Sequence, residues 1–206
     1  MKGAGFLMVK LVSMGLIILM MLFYPVSASS SNPERSSSSN SGENLDEKNR
    51  AYFTDLKVIT HDGRELRFYS DILKDRIVAI NFFYVNCPTA QLSLTTFFKL
   101  QKILGDRLGK EVWLLTISVD PGNDTPEAVK NFARMYNPQH GWLFLTGKEK
   151  DLQTINQKLG NTGRLPEGHM RLFLLGNLKS GHWMKIPDDA HEFSIESGLR
   201  SLADDQ

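Results

Sequence analysis

The sequence contains a single cysteine, Cys87, among its 206 residues. No disulfide bond can therefore form within the chain, and the fold has to be stabilised by its hydrophobic core alone. A lone thiol in an oxidising compartment is also open to oxidation. Three interpretations follow for Cys87: a buried and inert core residue, a metal ligand, or a thiol that forms mixed disulfides with other molecules.

The chain also lacks an excess of either charge. It has 24 Lys and Arg residues against 23 Asp and Glu residues, a formal net charge of +1. Loss of residues 1–28 would remove two lysines and no acids, leaving 22 basic against 23 acidic side chains. A balance so close to zero predicts no nucleic-acid-binding surface and no strong attraction to anionic surfaces.

Long apolar runs are missing as well. The apolar segment at residues 11–24 has about 14 residues, whereas a membrane-spanning helix needs about 20. Basic residues precede this segment, and a small-residue cleavage pattern that ends at Ala28 follows it. This order predicts a signal peptide over residues 1–28 and an exported, periplasmic or otherwise extracytoplasmic protein. The alternative is an uncleaved anchor, with residues 6–24 as a membrane tether.

The next segment is poor in large apolar side chains and rich in Ser and Asn. Such a composition cannot bury a core, so residues 29–49 are predicted to form a flexible linker. The folded domain is then expected to occupy residues 50–206.

The stretch around Cys87 organises that domain. An apolar run rich in β-branched and aromatic residues at 77–85 predicts a buried strand, and Pro88 suits the first position of a helix. The thiol is therefore expected where a core strand turns into a helix N-terminus, whose N–H groups and dipole favour a thiolate. This position favours a functional site over a structural cysteine.

The remaining pattern predicts the fold. Asp62-Gly63 between two short extended runs indicates a hairpin at residues 57–68, and His61 is expected to be an exposed turn residue. From residue 77 the predicted order is β-α-β-α-β-α-β-β-α. The predicted segments are strands at 77–85, 111–119, 142–146, 170–175 and 182–186, and helices at 89–108, from 124–127 to before Pro138, at 149–159 and at 193–202. Alternation of this kind indicates an α/β, thioredoxin-like fold with a central mixed sheet flanked by helices and an N-terminal hairpin.

Three segments resemble the SCO/SenC family of copper-handling assembly factors for cytochrome c oxidase. They are NFFYVNCPT at residues 81–89, SVDPGNDTPE at 118–127 and HMRLFLLG at 169–176. The second is the most specific, because it is close to the family's S-x-D-P-x-x-D-T-P-E segment. The likeness covers roughly residues 55–190 and implies a thioredoxin-like fold.

The family holds copper with two cysteines spaced C-x-x-x-C and one histidine. Cys87 matches the first cysteine and His169 matches the histidine, but Gln91 stands in the place of the second cysteine. A neutral amide oxygen is a weak ligand for copper, so binding is expected to be weaker than in members with two cysteines. An internal dithiol–disulfide cycle is lost too, since it needs two sulphurs. Asp120 is a further candidate supporting residue.

The resemblance implies an accessory protein for copper handling or cytochrome c oxidase assembly rather than an enzyme. Its implied ligand is copper, held by Cys87 and His169, and its implied partners are an oxidase subunit or other copper or thiol proteins. Two alternatives stay open. One is an interaction module with a buried, inert Cys87. The other is a one-cysteine thiol peroxidase or reductase with Cys87 as the catalytic residue. The local sequence resembles the V-C-P-T turn of peroxiredoxins, but those proteins place a Thr three residues before the cysteine, where this chain has Tyr84.

Overall fold

The computed structural model describes residues 37–88, 90–163 and 165–205, with side chains described from residue 44 onward. The predicted signal peptide or anchor at residues 1–28 lies outside the described residues. Within the described ranges, no helix combines the length and the apolar character needed to cross a membrane.

The strands of the described residues form one seven-stranded mixed sheet. They are β1 (Lys57–Thr60), β2 (Glu65–Arg67), β3 (Ile77–Phe83), β4 (Val112–Ser118), β5 (Trp142–Thr146), β6 (Leu172–Asn177) and β7 (Trp183–Pro187). Their order across the sheet is β2-β1-β5-β4-β3-β6-β7. Strands β3, β4 and β5 run parallel, and the β1–β2 and β6–β7 hairpins add antiparallel strands at the two edges. The predicted mixed sheet with an N-terminal hairpin is confirmed.

Five α-helices lie in the described part of the chain. They are α1 (Ser37–Phe53), α2 (Ala90–Leu104), α3 (Pro126–Arg134), α4 (Glu149–Lys158) and α5 (Glu192–Ala203). Helix α2 is shorter than the prediction of 89–108, because Gly105 adopts a left-handed conformation with φ of 51°. Glycine reaches that conformation without steric cost and therefore ends helices. A 3₁₀ turn, Gly105–Arg107, continues the chain.

Two apolar layers cover the two faces of the sheet. Along β3, Val78 and Ile80 contribute to the layer that also contains residues of α1 and α4. Ala79 and Phe83, which point to the opposite face, contribute to the layer that contains residues of α2, α3 and α5. A strand buried on both faces carries no polar alternation, which is why its sequence is an apolar run interrupted only by Asn81.

Helix α1 corrects the predicted linker. Residues 37–49 are helical, although their composition is typical of a flexible segment. Asp46 accepts a hydrogen bond from the Tyr69 hydroxyl at 2.7 Å, Asn49 donates to a backbone carbonyl at 3.1 Å, and Phe53 is only 5% exposed in the core. The helix is therefore stabilised by tertiary contacts of mostly polar side chains, and the folded part of the chain begins before residue 50.

His61 also differs from its expectation as an exposed turn residue. Its side chain is partly buried, and its Nδ1 atom accepts a hydrogen bond from the Phe144 N–H at 3.3 Å. The two rings meet edge to face with centroids 5.8 Å apart. These two contacts make the imidazole a structural link between the β1–β2 hairpin and β5. Burial lowers the pKa of His61.

Candidate metal and thiol site

The segment after β3 and the loop before β6 bring Cys87 and His169 together. The Sγ atom of Cys87 lies 3.8 Å from Nε2 of His169. Strands β3 and β6 are antiparallel neighbours, so the carboxyl end of β3 lies beside the amino end of β6. Two residues that are 82 positions apart in sequence thereby meet at one end of the sheet.

The other ring nitrogen of His169 fixes the tautomer. Its Nδ1 atom lies 3.2 Å from the carbonyl oxygen of Met170. A carbonyl oxygen can only accept, so Nδ1 carries a proton in this hydrogen bond, and in the neutral imidazole Nε2 keeps its lone pair. The lone pair on Nε2 is therefore available to accept the Cys87 thiol proton or to bind a metal ion.

Cys87 lies in a turn that precedes helix α2. Its N–H donates to the Tyr84 carbonyl at 3.0 Å, and its own carbonyl accepts from the Ala90 N–H at 3.4 Å. The described helix α2 begins at Ala90, against a predicted helix at 89–108. The thiol is nevertheless close to a helix N-terminus, as expected.

Tyr84 is a site residue that the sequence analysis did not select. It is 8% exposed. Its ring packs edge to face on His169 with centroids 6.0 Å apart. Burial raises the pKa of Tyr84, and the charge and hydrogen bonding of the neighbouring Cys87 side chain raise it further. If the turn at 84–87 had been predicted from the sequence, it would have indicated Tyr84, because a hydrogen-bonded turn brings residues three positions apart close together.

Asp124 holds the thiol-bearing segment to β4. Its carboxylate is almost fully buried, at 2% exposure. One carboxylate oxygen accepts from the Val85 N–H at 3.0 Å, and the other accepts from the Ser118 hydroxyl at 2.6 Å. Burial raises the pKa of Asp124, while these two hydrogen bonds lower it. The cap of helix α3 is instead Thr125, whose hydroxyl accepts from the Ala128 N–H, so Asp124 serves the site and not the helix.

The two predicted supporting residues lie in different surroundings. Gln91 is in the first turn of α2 with an exposed side chain. Asp120 is partly buried after β4, where its carboxylate accepts from Asn123 at 2.8 Å. Burial is the largest cause of the raised pKa values of Tyr84 and Asp124, and the charge of Asp120 is a smaller one. Within the described ranges, no group of three or more Asp, Glu, His or Cys residues is arranged to hold a metal ion.

Comparison with known proteins places the chain in a family. The SCO1/SenC family model matches residues 46–165, more than half of the chain. The chain belongs to the SCO1/SenC family. The matched range includes Cys87 and the 118–127 segment and ends before His169.

Relatives within the family are distant. The SCO2-like protein of Rickettsia conorii is 28% identical over 116 residues, which cover 56% of this chain and 54% of that protein. The chain spans about half the length of the curated relatives it matches. Among solved structures, BsSco, a member of the Sco family of cytochrome c oxidase assembly proteins, shares 25% identity with a TM-score of 0.62 over 75% of this chain and 94% of that chain.

A second solved structure shows the same fold. The copper-bound ScoI of Bradyrhizobium japonicum is 20% identical, with a TM-score of 0.58 over 71% of this chain and 96% of that chain. These likenesses confirm the predicted thioredoxin-like α/β fold of this SCO1/SenC protein.

Proposed function

We propose that this SCO1/SenC protein handles copper for cytochrome c oxidase assembly, with the ion carried as cargo between Cys87 and His169. The observation that carries the proposal is the 3.8 Å separation of Sγ and Nε2. Metal–thiolate and metal–imidazole distances of about 2.3 and 2.0 Å together exceed that gap, so one ion can reach both atoms. A soft thiolate suits Cu(I), and imidazole is also a good copper ligand. The donor set therefore fits the ion.

The same residues make the proposed site a weak one. Gln91 replaces the second thiolate with an amide, and the Cys87 side chain is only partly buried. A partner's thiolate or imidazole can then approach the ion and displace this protein's ligands one at a time. A site of this kind favours transfer over storage. The proposed partner is an oxidase subunit or another copper or thiol protein outside the cytoplasm, a compartment suggested by the pattern of residues 1–28.

Copper retention tests the proposal. Purified protein is loaded anaerobically with Cu(I), desalted, and assayed for copper per chain. We expect close to one copper per chain, and loss of it in both Cys87→Ser and His169→Ala. The control is His182→Ala, which removes an exposed imidazole outside the site. If the unsubstituted protein keeps no copper, direct delivery is ruled out.

One contact favours a second function, a one-cysteine thiol enzyme. His169 Nε2 lies 3.8 Å from the Cys87 sulphur, within reach of the thiol proton. The thiolate would attack a peroxide O–O bond, forming a sulfenic acid and releasing water or an alcohol. An external thiol would then displace water to give a mixed disulfide, and a second thiol would regenerate the thiol. Stopped-flow peroxide consumption no faster than that of free cysteine, with no loss in Cys87→Ser, would reject this function.

The third alternative, an interaction module with a buried and inert thiol, predicts that Cys87 is inaccessible. The side chain is only partly buried, and this exposure disfavours the prediction. Rapid, complete labelling of the native protein by a bulky thiol reagent would count further against it.

A further inference from the structure

A chain of side-chain amides connects β4 to the loop that carries His169. Asn156 on α4 donates to the Ser118 carbonyl at 3.0 Å. Its own side-chain oxygen accepts from Asn161 at 3.2 Å. The Asn161 side-chain oxygen in turn accepts from the Met170 N–H at 2.9 Å. Both asparagines are buried, at 7% and 5% exposure, so each hydrogen bond is sheltered from water. The residue after His169 is thereby fixed to the same end of β4 that holds Asp124.

A close backbone contact holds the same loop from another side. A Cβ atom added at Gly163 would lie 2.4 Å from the carbonyl oxygen of Gly168 and 3.3 Å from the N atom of His169. Backbone atoms cannot move aside as the end of a side chain can, so any side chain at 163 has to push the loop away. A Cβ atom at Gly168 would meet Gly163 Cα at 3.9 Å, an ordinary contact.

We propose that Asn161 and Gly163 are positioning residues that hold the His169 imidazole against Cys87. Neither residue is a predicted ligand. They act through the backbone on both sides of His169, at Met170 and at Gly168. The lone pair of Nε2 faces Sγ only while this loop keeps its place, so the two residues set the sulphur–nitrogen distance. The consequence for copper rests on the proposed function, whereas the placement of the ring does not.

The placement is tested without metal, by the nuclear Overhauser effect between the ring protons of Tyr84 and His169 in the full chain. Their rings are in edge-to-face contact, so a cross-peak is expected in the unsubstituted protein. We expect it to disappear in Asn161→Ala and in Gly163→Ala, which disturb the loop by different routes. It should persist in the matched controls Gln157→Ala, an exposed amide on α4, and Gly168→Ala.

A second experiment, on copper affinity, distinguishes a failure of this inference from a failure of the proposed function. In Cu(I) competition against a chelator, Asn161→Ala and Gly163→Ala should bind about 10-fold or more weakly, as loss of residues that orient metal ligands does. Cross-peaks that persist in both variants would overturn the positioning role. Cross-peaks that vanish while copper affinity is unchanged would support positioning and would instead remove His169 from the proposed copper site. If Asn161→Ala does not fold, Gly163→Ala, which keeps every side chain of the amide chain, decides the question alone.

Discussion

Replacement of Asp124 tests how the thiol-bearing segment is held. Asp124→Ala leaves the Val85 N–H and the Ser118 hydroxyl without the carboxylate that now accepts from both. Each buried polar group that loses its partner costs about 1–3 kcal/mol, so the loss of both partners should lower the free energy of unfolding by roughly 2–6 kcal/mol. Asp124→Asn keeps one oxygen as an acceptor and should cost about 1 kcal/mol near neutral pH.

The pH dependence of the stability of Asp124→Asn is more diagnostic than the size of its stability loss at neutral pH. Burial raises the pKa of Asp124 above its unfolded value, so the native state binds more protons than the unfolded state between the two values. The contribution of Asp124 to stability must then decrease as the pH rises through its folded pKa, with a slope of at most about 1.4 kcal/mol per pH unit. An asparagine has no such slope.

Urea unfolding followed by tryptophan fluorescence in steps from about pH 4 to 7 measures this difference. The stability of Asp124→Asn relative to the unsubstituted protein should increase as the pH rises. A relative stability that decreases over the same range would show that hydrogen bonding outweighs burial and that the carboxylate pKa is lowered, which would refute the reasoning.

Three further substitutions probe the site and the hairpin. Tyr84→Phe removes the hydroxyl that can donate to sulphur and keeps the ring. At a pH where the Cys87 thiol is fully ionised, iodoacetamide should therefore react about fivefold faster, the equivalent of roughly 1 kcal/mol. An unchanged rate would show that the hydroxyl does not act on sulphur. Gln91→Cys, at an exposed position, should alter stability by less than about 0.5 kcal/mol and tighten Cu(I) binding in a chelator competition, whereas unchanged affinity would mean that this position does not reach the ion. The native His61 imidazole has a lowered pKa and accepts from the Phe144 N–H, so it loses stability when it is protonated. In His61→Gln, the free energy of unfolding should therefore fall less steeply on acidification below about pH 6.5. An unchanged pH slope in urea unfolding would contradict this role of the imidazole.

The sheet was predictable because its strands obey simple physical rules. The run at 77–85 is apolar on both faces apart from Asn81, a pattern typical of a strand covered by helices on both sides. Helix α1 could not be predicted in this way, since polar side chains such as Asp46 and Asn49 attach it to the domain. Its contacts involve residues far away in sequence, which composition does not reveal.

The candidate site was accessible from sequence only in part. The position of Cys87 at the end of a core strand followed from local pattern, and the pairing with His169 was expected from family resemblance. Their roles as metal ligands remain predictions. The roles of Tyr84 and Asp124 were not predicted. Tyr84 is brought to the thiol by the turn at 84–87, and Asp124 accepts from the Val85 N–H, 39 positions away in sequence.

X-ray absorption spectroscopy at the copper edge, on the copper-loaded full chain, tests the proposed site most directly. We expect the first shell to contain one sulphur and at least one imidazole nitrogen, with the sulphur lost in Cys87→Ser and the nitrogen signal reduced in His169→Ala. A shell with two sulphurs would indicate a further sulphur ligand, either a methionine of this chain or the thiol of a second chain. A shell of nitrogen and oxygen alone, unaffected by either substitution, would contradict a site formed by Cys87 and His169.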